Sequence, residues 1–208
     1  MKQKLKTKDR QAELVAAALQ LAATKSPSEI TTGDLASVIG ITQGGVFKHF
    51  KSKEAIWLAA LAWAHQSLLT QLVQVAKIEK QTALQSLKAI FMTHVDFVKN
   101  YPGVPRLIFQ ELQHHKPTPL KKMVQKLMSD YRQLVSNLLI QARQDAEISQ
   151  DADLQAATVL FIGAIQGLVM QSLISGSLEK ISQQAKTVFS IFEAGLVAAE
   201  MPKRRKGE

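Results

Sequence analysis

Between residues 31 and 53 the sequence places hydroxyl, amide and basic side chains close together, in a pattern suited to contact with nucleic acid. A glutamine amide can pair with two atoms of adenine, and a lysine can reach guanine or a phosphate. Hydroxyls and backbone amides at helix starts bind phosphates. Phosphate contacts are therefore expected from Thr31, Thr32, Lys53 and the ring edge of His49. The candidate DNA-contacting residues are Thr31, Thr32, Thr42, Gln43, Gly44, Gly45, Phe47, Lys48, His49 and Lys53.

Two short helices joined by a tight turn are predicted to position these side chains. Thr31 can cap the first helix, and Asp34 three residues later completes a capping box. Gly40 can adopt the positive φ at which helices stop, and Thr42 can cap a second helix over residues 43–49. Such a pair is a helix-turn-helix, whose second helix enters the major groove. Gln43, at the start of that helix, is the expected base reader.

This stretch resembles the DNA-binding domain of tetracycline-repressor-type (TetR-family) regulators. The matching residues are Thr31, Asp34, Leu35, Ala36, Gly40, Ile41, Thr42, Gly44, Phe47, His49, Phe50, Lys51, Lys53 and Glu54. The family commonly has tyrosine in place of Phe47, so a hydroxyl contact to phosphate is missing here. It commonly has threonine or alanine in place of Gly45, and glycine loosens the recognition helix by roughly 0.5–1 kcal/mol. Core packing is the alternative for Phe47, and it is the preferred interpretation for Phe50.

Positive charge is concentrated at the two ends of the chain. Of the net charge of +9, residues 1–53 contribute nine Lys and Arg against four acidic residues, and residues 201–208 contribute four against one. Localised positive charge indicates a polyanionic partner, although a solvated tail explains the last run equally well. The absence of cysteine fits a reducing compartment, and the N-terminus lacks the apolar core of a signal peptide. We therefore expect a cytoplasmic protein.

The rest of the chain is predicted to be helical, because proline, glycine and serine separate apolar-periodic segments and no strand alternation is present. The expected fold is all-α. A three-helix helix-turn-helix domain (residues 1–52) is fused through a long helix to a larger helical effector-binding and dimerisation domain (residues 53–200), with a basic tail (residues 201–208). Further helices are predicted at about residues 9–24, 53–76, 82–100, 104–115, 120–146, 153–175 and 181–200.

Residues 154–178 contain no charged side chain and are long enough to span a bilayer. Polar interruptions and acidic flanks argue against a membrane segment. A helix that is apolar on most faces is otherwise buried, as the central helix of a monomer or against a second copy. We favour the second copy, as in TetR-family dimers, because two glycines four residues apart allow close approach. The predicted dimer interface comprises Gly163, Gly167, Val188 and Phe192.

The sequence lacks a nucleophile elbow, a phosphate-binding loop, a dinucleotide fingerprint and an H-E-x-x-H pattern. Its histidines are scattered, without acidic residues at ligand spacing. We therefore predict no enzyme activity, no catalytic residue, no metal site and no cofactor.

The resemblance implies a small-molecule pocket in the larger domain. Few charges occur on its helices, so the effector is expected to be largely apolar. The candidate ligand-binding residues are Trp63, Phe91, Phe97, Phe109, Met128 and Tyr131 as walls, with His94 and Gln110 as polar anchors. Ordinary core packing is the alternative for each aromatic residue.

These observations predict a homodimeric regulator that binds double-stranded operator DNA, expected to act as a repressor released by an unknown small-molecule effector. The alternative is a helical interaction protein or membrane-surface protein that uses its basic end on acidic lipid. A marked preference for one duplex sequence over bulk DNA and anionic vesicles distinguishes the two functions.

Overall fold

The computed structural model describes residues 7–78 and 80–197, and every regular element in those ranges is a helix. The all-α prediction is confirmed. The α-helices of the described residues are α1 (Thr7–Ala22), α2 (Thr32–Ile39), α3 (Gln43–Phe47), α4 (Lys53–Ala76), α5 (Ala83–Asn100), α6 (Gly103–Leu112), α7 (Pro119–Gln144), α8 (Leu154–Ser175) and α9 (Ile181–Val197), and a short 3₁₀ helix covers Leu178–Lys180.

The chain divides into two compact units. The first contains the residues up to Leu68 together with Asn100–Met128, and the second contains Leu69–Lys99 and the residues from Ser129 onwards. Both α4 and α7 therefore contribute residues to each unit. The expected functional boundary between residues 52 and 53 stays a prediction, and the basic tail at residues 201–208 lies outside the described residues.

The first unit has a core to which several of its helices contribute. Leu14 of α1, Leu35 of α2 and Ile56 of α4 are fully buried. Helix α6 begins directly against the backbone of α1, because a Cβ on Gly103 would lie 2.1 Å from the carbonyl oxygen of Leu19. Glycine is required here by the close approach of the two helices. The sequence predicted only that a helix ends at this position.

The second unit is built around an aromatic cluster. The Phe91 ring meets the rings of Phe161 and Phe189 edge to face, with centroid separations of 5.3 and 5.5 Å. Such edge-to-face pairs stabilise a core beyond the apolar area that they bury. All three residues are fully buried, so this cluster fixes how α5, α8 and α9 pack together.

Helices that were predicted to end at a glycine do so in the structure. Gly40 after α2 and Gly176 after α8 have φ values of 69° and 68°. Helix α7 was expected to reach Ala146 but ends at Gln144, because Ala146 itself has a φ of 56°. The Glu147 N–H donates to the Ala142 carbonyl at 2.8 Å, which closes the helix end without a glycine. Helix α6 likewise ends three residues before the expected position, at Leu112.

Candidate functional site

Helix α2 is held at its start by a complete capping box. The Asp34 N–H donates to Thr31 Oγ1 at 3.0 Å, and the Thr31 N–H donates to the Asp34 carboxylate at 2.7 Å. Lys25 adds an ion pair to the same carboxylate at 2.9 Å. The backbone hydrogen bond from Thr31, followed by the bond from Lys25, lowers the pKa of Asp34 to about 2. The predicted capping box is confirmed.

Helix α3 presents one face to solvent. Thr42 caps it by accepting a hydrogen bond from the Gly45 N–H at 3.1 Å, and Val46 anchors it in the core with no exposure. The exposed residues of α3 are Gln43, Gly44 and Phe47, and Lys48 directly after its end is also exposed. The helix ends at Phe47, two residues before the expected end at His49. Phe47 is 49% exposed, so it is not a core residue of the described chain. The exposed face of α3 therefore carries three of the residues predicted to contact DNA, and Lys48 follows directly after it.

The Gln43 side chain is tied to the start of α2. Its Nε2 donates to Thr32 Oγ1 at 2.9 Å, and Thr32 is buried while Gln43 is exposed. Thr32 was expected to contact a phosphate directly. In the structure its hydroxyl instead contacts the expected base reader, which the spacing of the two residues along the chain did not indicate.

Lys53 also has partners that the sequence did not reveal. Its ammonium donates to the carbonyl oxygens of Ser28 and Ile30 at 2.9 and 2.8 Å, and it approaches that of Pro27 at 3.5 Å. These carbonyls belong to the turn between α1 and α2. The arrangement makes Lys53 a clamp on that turn, and it does not support the phosphate contact expected of this residue, which stays a prediction.

His49 is half-buried behind α3. Its backbone carbonyl accepts a hydrogen bond from Gln11 Nε2 of α1 at 2.9 Å, and its Nδ1 is buried without a hydrogen-bond partner among the described residues. The orientation therefore directs Nδ1 away from solvent. The predicted contact between the His49 ring and a phosphate is not supported through this atom.

The predicted effector residues divide between the two units. Phe91, His94, Phe97 and Tyr131 lie in the second unit, whereas Trp63, Phe109, Gln110 and Met128 lie in the first. Trp63 packs edge to face on Tyr101 at 4.9 Å. Gln110 Oε1 accepts from the Ser28 N–H at 3.0 Å, so this amide supports the turn before α2. Its role as a ligand anchor stays a prediction.

A polar pair lies within the aromatic interior of the second unit. His94 Nδ1 and Tyr131 Oη are 3.1 Å apart, and Tyr131 is fully buried. Burial lowers the pKa of His94 to about 4 and raises the pKa of Tyr131. Both side chains are therefore neutral at pH 7. A neutral hydrogen-bonding pair beside Phe161 is chemically suited to a ligand with an apolar body and a polar group. The expected roles, His94 as a polar anchor and Tyr131 as a wall of the pocket, stay predictions.

Helices α8 and α9 pack together through one face of each and expose the other. Gly163 and Gly167 are exposed, with open space where a Cβ would be, and Val188 is half-buried. Phe192 is 4% exposed and contacts Phe161 of its own chain. It is therefore a core residue, and its expected part in a dimer interface is not supported. The exposed apolar side chains of these two helices are Val159, Leu160, Met170, Ile174, Ile191 and Val197.

Helix α8 is the one described helix that is long and apolar enough to cross a membrane, and 44% of its apolar window is buried inside the protein. No group of three or more histidine, cysteine, aspartate or glutamate side chains in the described ranges is arranged to hold a metal ion.

Comparison with known proteins decides the family. A model of bacterial regulatory proteins of the tetR family matches residues 14–60, and a model of the tetracyclin repressor-like C-terminal domain matches residues 83–189. The chain belongs to the TetR family. Members of this family are non-enzymatic DNA-binding regulators of transcription, so the predicted class and the expected lack of enzyme activity are confirmed.

Individual relatives of this TetR-family chain are distant. The nucleoid occlusion factor SlmA of Actinobacillus pleuropneumoniae is 27% identical over 110 residues, which are 53% of this chain and 54% of that protein. The chain thus spans about half the length of the first curated relatives that it matches. The regulator FadR of Bacillus subtilis, in complex with stearoyl-CoA, has a TM-score of 0.76 at 18% identity, covering 88% of this chain and 98% of its own. FadR of Bacillus halodurans gives 0.77 at 16% identity, covering 93% and 98%. These structures show the shared fold.

Proposed function

We propose that this TetR-family regulator is a repressor that binds a pseudo-palindromic operator as a homodimer and leaves it when a small, largely apolar ligand binds. The exposed face of α3 carries the proposal. Gln43 is exposed at the start of a helix that Val46 anchors and Thr42 caps, and Lys48 is exposed directly after its end. An amide and an ammonium group are therefore available to a base edge and a phosphate. Such a protein works in the cytoplasm, where the DNA is.

The dimer rests on the exposed apolar face of α8 and α9. Leu160 is 59% exposed and Ile174 is 73% exposed, on a helix that is otherwise well packed. Large exposed apolar side chains on adjacent helices mark an interaction surface. A second copy of the same face would cover them, and the open space above Gly163 and Gly167 permits two α8 helices to approach closely. Two reading helices in one dimer require two half-sites in the operator.

The effector proposal rests on the interior of the second unit. Tyr131, which pairs with His94 there, lies beside Phe161 with ring centroids 6.4 Å apart, so the matching ligand has an apolar body with one hydrogen-bonding group. The B. subtilis FadR structure contains stearoyl-CoA, which makes a long-chain acyl thioester the first compound to test. Helix α4 is continuous from Lys53 to Ala76 and belongs to both units, so we assign it the transmission of ligand binding to the DNA reader.

Three measurements test the function. Selection of operator sequences by the full chain should enrich one pseudo-palindrome, and binding to it should weaken steeply with added salt because lysine–phosphate contacts release counterions. Calorimetry with stearoyl-CoA should then show a ligand affinity that operator DNA lowers by about 5–150-fold, since coupling between two binding sites is reciprocal. Equal ligand affinity with and without operator would contradict ligand-controlled release.

Anionic vesicles serve as the comparison for the DNA measurements. A protein whose basic end binds acidic lipid would bind vesicles and random duplex DNA about equally well, because both contacts are purely electrostatic. Enrichment of one sequence by the wild-type chain, combined with weak vesicle binding at the same salt concentration, supports the repressor and excludes the membrane-surface alternative.

A further inference from the structure

The hydrogen bond between Gln43 and Thr32 joins the two helices of the DNA reader through their side chains. Gln43 is the first residue of α3 and Thr32 is the first residue of α2, so both helix starts meet at this bond. The Nε2–Oγ1 distance is 2.9 Å, which is an ordinary length for a good hydrogen bond. An exposed glutamine is thus held by a buried threonine.

Both ends of this contact are fixed by their surroundings. Thr32 is 9% exposed, and the capping box formed by Thr31 and Asp34 orders the turn in which it lies. Gln43 follows directly after Thr42, which caps α3 through the Gly45 N–H. A glutamine side chain normally loses considerable rotamer freedom when it binds. The bond to Thr32 restricts the Gln43 amide before any DNA is present.

The hydrogen bond also determines what the amide can offer to a base. A glutamine amide has two N–H groups and one carbonyl oxygen. With one N–H donated to Thr32, the second N–H and Oε1 remain available, and these are the donor and acceptor that pair with N7 and N6 of adenine. The same pair cannot satisfy guanine, whose N7 and O6 are both acceptors.

We propose that Thr32 is a specificity-positioning residue, which orients the Gln43 amide so that α3 prefers adenine at one position of each half-site. The inference rests on the proposed DNA-binding function and extends it to a residue that influences the choice of base through Gln43. Thr32 acts only through Gln43, so its removal should alter the choice of base without altering contacts to the phosphate backbone.

The test uses the full chain and three variants. Thr32→Val keeps the shape of the side chain but removes the acceptor, Thr32→Ser keeps the hydroxyl, and Gln43→Ala removes the reader. Operator selection followed by binding to single-base substitutions gives the preference at each position. Thr32→Val should reduce the preference for adenine about two- to tenfold, as loss of one hydrogen bond implies, at the same position that Gln43→Ala affects. Thr32→Ser should behave as wild type.

The double variant provides a stricter criterion. If Thr32 acts through Gln43, adding Thr32→Val to Gln43→Ala should cause no further loss of preference, because the two effects are not additive. An additional loss in the double variant would contradict the proposal. Equal weakening of all sequences by Thr32→Val would also contradict it, since that result assigns Thr32 to the phosphate contact that the sequence predicted.

The outcomes separate this inference from the proposed function. Unchanged base preference in Thr32→Val, alongside a relaxed preference in Gln43→Ala, overturns the inference and leaves the repressor intact. Absence of any sequence preference in the wild-type chain overturns the proposed function itself. If Thr32→Val does not fold, NMR of the Gln43 side-chain amide in the wild-type chain decides the matter. An ordered amide before DNA is added supports the positioning role, and an amide as mobile as a free side chain refutes it.

Discussion

At the scale of single residues, Lys53 illustrates how a basic side chain near the DNA reader can serve the fold. Its ammonium lies within 3 Å of the carbonyl oxygens of Ser28 and Ile30. Hydrogen bonds from a charged donor contribute more than neutral ones, about 1.5–3 kcal/mol. These bonds hold the turn that leads directly into α2, so Lys53 stabilises the position of α2 within the helix-turn-helix.

Replacing Lys53 with alanine should therefore lower the free energy of unfolding by about 1–3 kcal/mol, measured by urea denaturation. The matched control is Lys48→Ala, because Lys48 is exposed directly after α3 and is predicted to contact DNA. That variant should leave stability unchanged and weaken DNA binding. Unchanged stability in Lys53→Ala, with a uniform loss of affinity for all DNA sequences, would instead restore its predicted role as a phosphate contact.

The two adjacent glycines of α3 permit a second comparison. A Cβ on Gly44 would meet nothing within 4 Å, and one on Gly45 would make ordinary contacts of 3.4 Å with Ile41 and Thr42. Alanine at either position should stabilise the free protein by about 0.5–1 kcal/mol, because glycine is entropically unfavourable in a helix. Gly44→Ala should nevertheless weaken operator binding, since Gly44 is exposed on the reading face, whereas Gly45→Ala should not. Thermal unfolding and gel shifts of both variants test this. Equal operator affinity for the two variants would contradict a close approach of Gly44 to DNA.

At the scale of elements, Gly103 determines how α6 meets α1. Because a Cβ would lie 2.1 Å from the Leu19 carbonyl oxygen, Gly103→Ala must push the two helices apart. Overpacking of this kind costs about 1–3 kcal/mol, and a backbone atom cannot move aside as a side chain can. Urea denaturation should show this loss. Gly33→Ala in α2 is the control, because its Cβ would lie at an ordinary 3.5 Å from Thr31 Oγ1. A loss of stability in both variants alike would assign the effect to glycine in general.

The helices themselves were largely predictable, because their stops are local. Gly40 and Gly176 end their helices in the left-handed conformation that glycine favours. Pro102 and Gly103 mark the interruption between α5 and α6. The end of α7 was not predictable, because Ala146 adopts a positive φ that alanine normally avoids. That conformation is imposed by the surrounding structure, and helical periodicity carries no signal of it.

The position of the candidate site in the sequence was predictable, but the hydrogen-bond partners of its side chains were not. Capping and periodicity placed Thr42 and the exposed residues of α3 correctly, because these depend on neighbours along the chain. The carbonyl groups that Lys53 contacts precede it by 23 to 26 positions in the sequence, and the Thr32 hydroxyl precedes Gln43 by 11 positions. Only the tertiary fold brings these groups together. The exposed face of α8 could not be predicted for a different reason. A helix that is apolar on all sides gives no periodic signal of which side is buried.

The polar pair in the second unit makes the stability of the whole molecule depend on pH. The pKa of His94 is lowered from 6.5 to about 4 by burial. Between these values the unfolded chain binds a proton that the folded chain does not, so the free energy of unfolding should fall as the pH is lowered through this window. The loss attributable to His94 is at most about 3 kcal/mol. NMR of the His94 ring as a function of pH should give a pKa near 4, and a value near 6.5 would contradict burial of its ring.

The last prediction concerns assembly of the whole molecule. Leu160 is exposed on the apolar face of α8, so Leu160→Glu should fold normally as a single chain. In a dimer built on this face the new carboxylate would be buried without a partner, at a cost of several kcal/mol. Dimer dissociation should therefore increase at least about a hundredfold, and operator affinity should fall with it because both half-sites can no longer be occupied together.

Sedimentation and light scattering measure the assembly, with Leu112→Glu as the matched control. Leu112 is also large, apolar and exposed, at 49%, but it belongs to α6 of the first unit. That variant should remain dimeric and bind the operator as wild type does. If Leu160→Glu stays dimeric while Leu112→Glu dissociates, the subunits meet through the first unit. The apolar face of α8 would then require a different partner.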